Sequence, residues 1–287
     1  MWKTLRQIYR TGVITEPPPA GDAVLAAPNL IATPHIAGAT EEAQEIVGIR
    51  IVEQMAEYLN NGIAINAVNM PAITPEQYRA IGPYITLAER MGRFASHIAT
   101  GNPLSVRIGY TGRIAGMNTA LLRNSALAGV LDRALSSHVN FVNALQLAAQ
   151  RGIGVSESHA GGPAAVESIG VDFETSEGVT SVSGAVVLDR ARLLAVNGIR
   201  VEVPLAGRLI YMSNMDVPGV IGHVGSVLGK NDVNIANFSL GREDRTPASG
   251  EALKAVAVVE VDSMVPESVL NQLRSHAAVR FASVVEL

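Results

Sequence analysis

Between Leu209 and Gly241 the hydrophobic period changes twice. Leu209 to Ser213 is a short apolar run containing Tyr211, which predicts a strand. Asn214 to Gly219 supplies loop chemistry, and Pro218 can open a helix because its missing N–H costs nothing there. Val220, Ile221, Val224, Val227 and Leu228 then fall at i, i+1, i+4, i+7 and i+8, one apolar stripe on a helix. Asn231-Asp232 stops it, and Val233 to Leu240 alternates as a strand does. The tail repeats the pattern. Leu253, Ala255, Ala257, Val259 and Val261 share one strand face, with Lys254 and Glu260 on the other. Pro266 opens a helix that buries Val269, Leu270 and Leu273, and Val279 to Leu287 is a closing strand. The pattern is βαββαβ, with helices on one side of an antiparallel sheet.

Upstream, Thr40 is placed to cap a helix whose first turn carries Glu41 and Glu42 and which runs to Asn60-Asn61-Gly62. Residues 71–205 read as α+β. Helices are predicted from Pro75 to Ala99, Leu121 to Leu135 and Phe141 to Arg151. Strands are predicted at Leu104–Gly112, Val155–Ser158, Ser168–Thr175, Ser181–Leu188, Arg192–Val196 and Arg200–Val203, with a linker at Pro204–Gly207. His159-Ala160-Gly161-Gly162-Pro163 reads as a flexible loop by composition. His138 and Asn140 between two helices read better as a capped helix boundary than as ligands.

The run D-x-P-G-V-I-G-x-V-G-x-x-L…V-N-I-A-N, Asp216 to Asn237, resembles the core of ACT domains, small ferredoxin-like modules that bind amino acids. Thr15-Glu16-Pro17-Pro18-Pro19, then LIATPHIAGATEEAQ, a long helix and NAVNMP resemble the last part of the catalytic section of the D-3-phosphoglycerate dehydrogenase family, in its long form. The resemblance implies three parts: a remnant of the D-2-hydroxyacid dehydrogenase catalytic section at 1–70, an intervening domain at 71–205 and an ACT domain at 206–287. It implies an acid–base pair of Glu16 and His35, with Ala37 and Gly38 beside the nicotinamide of NAD. That chemistry is coherent: a neutral imidazole takes a hydroxyl proton near working pH, and a carboxylate behind it stabilises the imidazolium.

Composition narrows the partners. The net charge of −4, without a basic block, argues against nucleic acid and anionic membrane. No apolar run approaches the ~20 residues that span a bilayer. The absence of cysteine excludes a disulfide scaffold and a thiolate metal site and fits a cytoplasmic protein. No histidine spacing suggests a metal site.

A dinucleotide site needs a Gly-rich turn between strand and helix, and no G-x-G-x-x-G stands in the 287 residues. Thr11-Gly12-Val13-Ile14 also stands where the family has an Asp before the E-P context. The chain therefore reads as the C-terminal part of an NAD-dependent D-3-phosphoglycerate dehydrogenase of serine biosynthesis, inactive alone. The alternative is a stand-alone serine-binding regulatory and oligomerisation module. The resemblance also implies a homo-oligomer. A free amino acid needs an acceptor for its ammonium and donors for its carboxylate; Asn214, Asp216 and Asn234 are the candidates, together with backbone N–H groups near Val217–Val220. Taken without the family, Asp216 reads as a helix cap and Asn234 as a turn residue.

Overall fold

The fold comes from a computed structural model, which describes residues 38–61, 66, 75–133, 139–246 and 251–287. The chain divides into two compact units, Met1–Ala64 and Ile65–Leu287. In the first, the described part is helix α1 (Glu41–Asn61) and the turn before it. Thr40 caps α1: the Ala43 N–H donates to its Oγ1 at 3.2 Å, and the Gln44 N–H to its carbonyl at 3.0 Å. Glu41 and Glu42 place negative charge at the positive end of the helix.

The second unit opens with α2 (Pro75–Ile98), strand β1 (Pro103–Thr111), α3 (Ala120–Asp132) and α4 (Ala144–Gln150). Then come β2 (Gly154–Ala160), β3 (Ser168–Thr175), β4 (Gly178–Val187), β5 (Arg190–Val196) and β6 (Ile199–Pro204). They form one six-stranded sheet in the order β2-β1-β3-β4-β5-β6. Only the β1–β2 pair is parallel, with α3 and α4 in the crossover. A parallel pair needs such a crossover because its strands must start at the same end.

α2 and α3 cross where two glycines meet backbone. A Cβ on Gly92 would lie 2.0 Å from the Ala126 carbonyl oxygen, and one on Gly129 would lie 2.0 Å from that of Glu89. No side chain fits either position, so the crossing is closer than any other residue pair allows. Leu87, Met91 and Phe94 then reach the sheet and are fully buried against it.

The reading of 159–163 as loop is corrected at its start: His159 and Ala160 continue β2. The pairing holds them, with Tyr110 opposite His159 and Thr111 opposite Ala160. Composition cannot show a partner that lies fifty residues away in the chain.

The C-terminal part is β7 (Arg208–Met215), α5 (Val220–Lys230), β8 (Ile235–Arg242), β9 (Lys254–Val261), α6 (Glu267–Arg274) and β10 (Val279–Glu286). Its antiparallel sheet has the order β10-β7-β9-β8. α5 and α6 bury Val224, Leu228, Val269, Leu270 and Leu273 against Ile210, Met212, Ala257, Val259 and Ala282. This is the βαββαβ arrangement expected.

The other face of this sheet is not open. Leu209, Tyr211, Val256, Val258 and Val285 join one core with Phe94, Leu193, Val201, Val203 and Leu205. The Arg90 guanidinium donates to the Leu205 carbonyl at 2.8 Å, Ser239 Oγ to the Glu202 carbonyl at 2.7 Å, and Ser283 Oγ to the His97 carbonyl at 3.2 Å. A Cβ on Gly241 would stand 1.9 Å from the Arg200 carbonyl oxygen, so β8 meets β6 backbone to backbone there. Lys254 and Glu260 sit at the ends of β9, while Val256 and Val258 on their face are buried.

Candidate functional site

The loop between β7 and α5 builds a cavity. The Asp216 N–H donates to the Leu253 carbonyl at 2.7 Å, and the Val217 N–H to the Met215 carbonyl at 3.0 Å, which turns the chain off the sheet. Gly219 stands before α5 with φ 97°, a conformation glycine adopts without strain. The first intrahelical bond runs from the His223 N–H to the Gly219 carbonyl at 2.9 Å. The N–H groups of Val220, Ile221 and Gly222 precede it and have no helical acceptor. Among the described residues no side chain caps this end. The capping role considered for Asp216 is therefore not the one it plays.

The cavity beside this loop holds about 380 Å³ and is walled by Asn214, Asp216, Val217 to Ile221, Phe238, Leu240 and Ala257. Asn214 is 3% exposed. Its Nδ2 donates to the Met215 carbonyl at 2.9 Å, and its buried Oδ1 has no partner among the described residues. An unpaired buried carbonyl costs about 1–3 kcal/mol, so its retention asks for a donor from outside the chain. Arg242 lines a neighbouring cleft of about 430 Å³ that shares Asp216 with this cavity, and its Nη1 lies 3.4 Å from Asp216 Oδ2. Register explains the meeting. Arg242 pairs with Ala255, and Ala255 pairs with Asn214, so all three stand in one row on the helix-facing side.

Of the three residues singled out for an effector, the structure brings Asn214 and Asp216 together and puts Asn234 elsewhere. Asn234 precedes β8 at the opposite end, where its Nδ2 donates to Asp262 Oδ2 at 2.6 Å. Glu16, His35, Ala37 and His138 lie outside the described residues. Gly38 lies in the exposed turn before α1. Asn140 accepts the N–H groups of Val142 and Asn143 at 2.9 and 3.1 Å, a turn-and-cap role. Sequence reasoning missed Arg242; the alternation of Phe238 and Leu240 extended by two residues would have placed it on the same face.

Two other polar places stand out. Glu157 on β2 accepts from Tyr110 and Thr119 at 3.1 Å each and from Arg123 at 3.0 Å, while His159 meets Thr119 at 3.1 Å. Burial, then the Glu157 charge, drives the Tyr110 phenol well above its usual range. Every member is partnered, as a structural network requires. A cleft of about 630 Å³ lies between β5, β6 and β8, walled in part by Arg200, Glu202, Ser239 and Leu240.

Comparison with known proteins agrees with the fold. Residues 80–197 match the family described as D-3-phosphoglycerate dehydrogenase intervening domain, and residues 208–278 match the ACT domain. The D-3-phosphoglycerate dehydrogenase of Methanocaldococcus jannaschii is 32% identical over 275 residues, covering 96% of this chain and 51% of the relative. That of Bacillus subtilis is 29% identical over 272 residues, covering 94% and 51%. The chloroplastic D-3-phosphoglycerate dehydrogenase 2 of Arabidopsis thaliana is 34% identical over 267 residues, covering 86% and 42%. The chain thus spans about half the length of these curated relatives.

Proposed function

From a chain whose residues 80–197 are a D-3-phosphoglycerate dehydrogenase intervening domain and whose residues 208–278 are an ACT domain, we propose the C-terminal regulatory part of a D-3-phosphoglycerate dehydrogenase. It binds a small amino acid, serine, in the cavity beside the Asn214–Gly219 loop. The observation that carries this reading is the orphaned Asn214 Oδ1 next to Asp216 and the open N-terminus of α5. An ammonium finds acceptors in Asn214 and Asp216, and a carboxylate finds N–H donors at the helix end. The proposed division is a catalytic remnant at 1–70, the intervening domain at 71–205 and the ACT domain at 206–287.

The parent activity would be the NAD-dependent oxidation of 3-phosphoglycerate to 3-phosphohydroxypyruvate in serine biosynthesis, in the cytoplasm, with Glu16 and His35 as its acid–base pair. The described residues do not fit NAD. The described helices that follow a strand are α3, α5 and α6, and none opens with a G-x-G-x-x-G turn that would admit a pyrophosphate. No step of that reaction is assigned to them. Among the described residues no helix is long and apolar enough to cross a membrane.

The two edges of the C-terminal sheet favour a second reading, a stand-alone serine-binding module that also serves assembly. β8 and β10 are the edges of the C-terminal sheet, and edges invite pairing with a second copy. Homo-oligomerisation is part of both readings.

Melting the whole chain across an L-serine series tests the binding step. A ligand that binds only the native state raises Tm with concentration by mass action. L-serine should raise it, and D-serine should act more weakly. An unchanged Tm at millimolar L-serine would remove serine as the ligand.

A further inference from the structure

We propose that Arg242 is the carboxylate receptor of this site, and that the Asp216–Arg242 pair is a clamp opened by a zwitterion. The inference rests on the amino-acid reading above and adds a residue and a mechanism to it.

The pair is loose by its own geometry. Its contact is single and 3.4 Å long, and the Arg242 side chain is 71% exposed against 32% for Asp216. An ion pair this open contributes little to stability. The other arginine of the region is fully engaged. Arg245 holds Glu251 through two contacts of 2.7 and 3.0 Å and Glu243 at 3.1 Å. Glu243 also accepts the Lys254 N–H at 3.2 Å. Among the described cations that line this cleft, Arg242 is the one that can move without breaking a tight bond.

An α-amino acid carries both charges that the pair lacks when opened. Its ammonium takes over Asp216 and satisfies the buried Asn214 Oδ1, which has no partner among the described residues. Its carboxylate, set toward the N–H groups at the start of α5, also takes the released guanidinium, whose planar fork suits a carboxylate. The exchange replaces one ion pair within the chain by two to the ligand and adds one hydrogen bond to an unsatisfied acceptor. A ligand with only one of the two charges gains half of this and leaves either Asp216 or Arg242 unpaired. The clamp therefore selects zwitterions over amines and simple acids.

Calorimetric titration of the full chain with L-serine and with L-serinamide, which lacks the carboxylate, tests the clamp. The wild type should bind L-serine roughly tenfold tighter than serinamide or better, the scale of one charge-assisted interaction. Arg242→Gln should bring the two affinities together by weakening serine alone, and Arg242→Lys should restore part of the difference. A structural role would weaken both ligands in parallel, and that result, or a serine preference unchanged in Arg242→Gln, overturns the proposal. If neither compound binds the wild type, the amino-acid reading itself fails and the clamp fails with it. The exposed position of Arg242 lets the variants fold.

Discussion

Phe94 meets Tyr211 edge to face, with ring centroids 5.8 Å apart and planes at 85°. Phe94 belongs to α2 and Tyr211 to the central β7, so a helix of the intervening domain forms part of the floor of the ACT sheet. Tyr211 also lies 6.0 Å from Phe281 of β10. The two domains are joined through a core rather than through a linker alone, which has consequences for stability.

Phe94→Ala should destabilise the protein by about 3–5 kcal/mol, the usual cost of emptying an aromatic core site. Residues 75–287 should also lose their structure in one cooperative transition. Denaturant unfolding followed by helix signal and by tyrosine fluorescence checks this. Two separated transitions would show that the shared core does not couple the domains.

The α2–α3 crossing is equally exposed to change. Gly92→Ala or Gly129→Ala puts a methyl 2.0 Å from a backbone oxygen, where only a shift of a whole helix gives relief. Overpacking of this kind costs about 1–3 kcal/mol, and more where backbone must move. Gly222→Ala is the control, because open space surrounds that position; it should be neutral or stabilising by helix propensity. Chemical denaturation midpoints of the three variants decide it.

Tyr211 gives an alkaline signature. Burial pushes its phenol up to about 12 from the ordinary value of 10.0. The folded pKa is thus above the unfolded one, so its contribution is complete below about pH 10 and is lost as pH rises through about 12. Stability of the wild type should fall more steeply over that window than stability of Tyr211→Phe, which keeps the ring and removes the proton. Parallel curves would contradict the assignment.

Much of this was legible in the sequence, for stated reasons. The stripe Val220, Ile221, Val224, Val227, Leu228 is local and marks α5 and the face it buries, with one correction: Ile221, next to Val220 in the chain, points away from that face and is exposed. The alternation of Leu253, Ala255, Ala257, Val259 and Val261 marks one face of the C-terminal sheet and says nothing of the second. The unbroken run from Ala255 to Val259 carried the signal, since a strand buried on both sides shows no alternation. The parallel pairing of β1 with β2 and the meeting of Arg242 with Asp216 depend on distant register, which no local period contains. Asn214 and Asp216 stand as candidates in the sequence because loop chemistry and a helix start lie together there, and the resemblance to ACT domains is what favours a ligand over a helix cap.

The 287 residues by themselves should not oxidise 3-phosphoglycerate. Positioning of two reactants can account for ~7–11 kcal/mol of a barrier, whereas acid–base help adds about 10²–10⁴-fold. The sequence holds no G-x-G-x-x-G to position the cofactor. NADH formation at saturating NAD and 3-phosphoglycerate, with His35→Ala alongside, is the assay. Turnover that vanishes in the variant would mean that these residues carry a working cofactor site.

The central claim is that the cavity at Asn214–Gly219 takes a small amino acid. Because Tyr211, Val256 and Val258 pack on the intervening domain, the whole chain is the right material. Isothermal titration of it with L-serine should give saturable heat, and Asp216→Ala should weaken binding by about tenfold, as loss of a charged acceptor does. An absence of heat, or equal affinity in Asp216→Ala, would contradict the account.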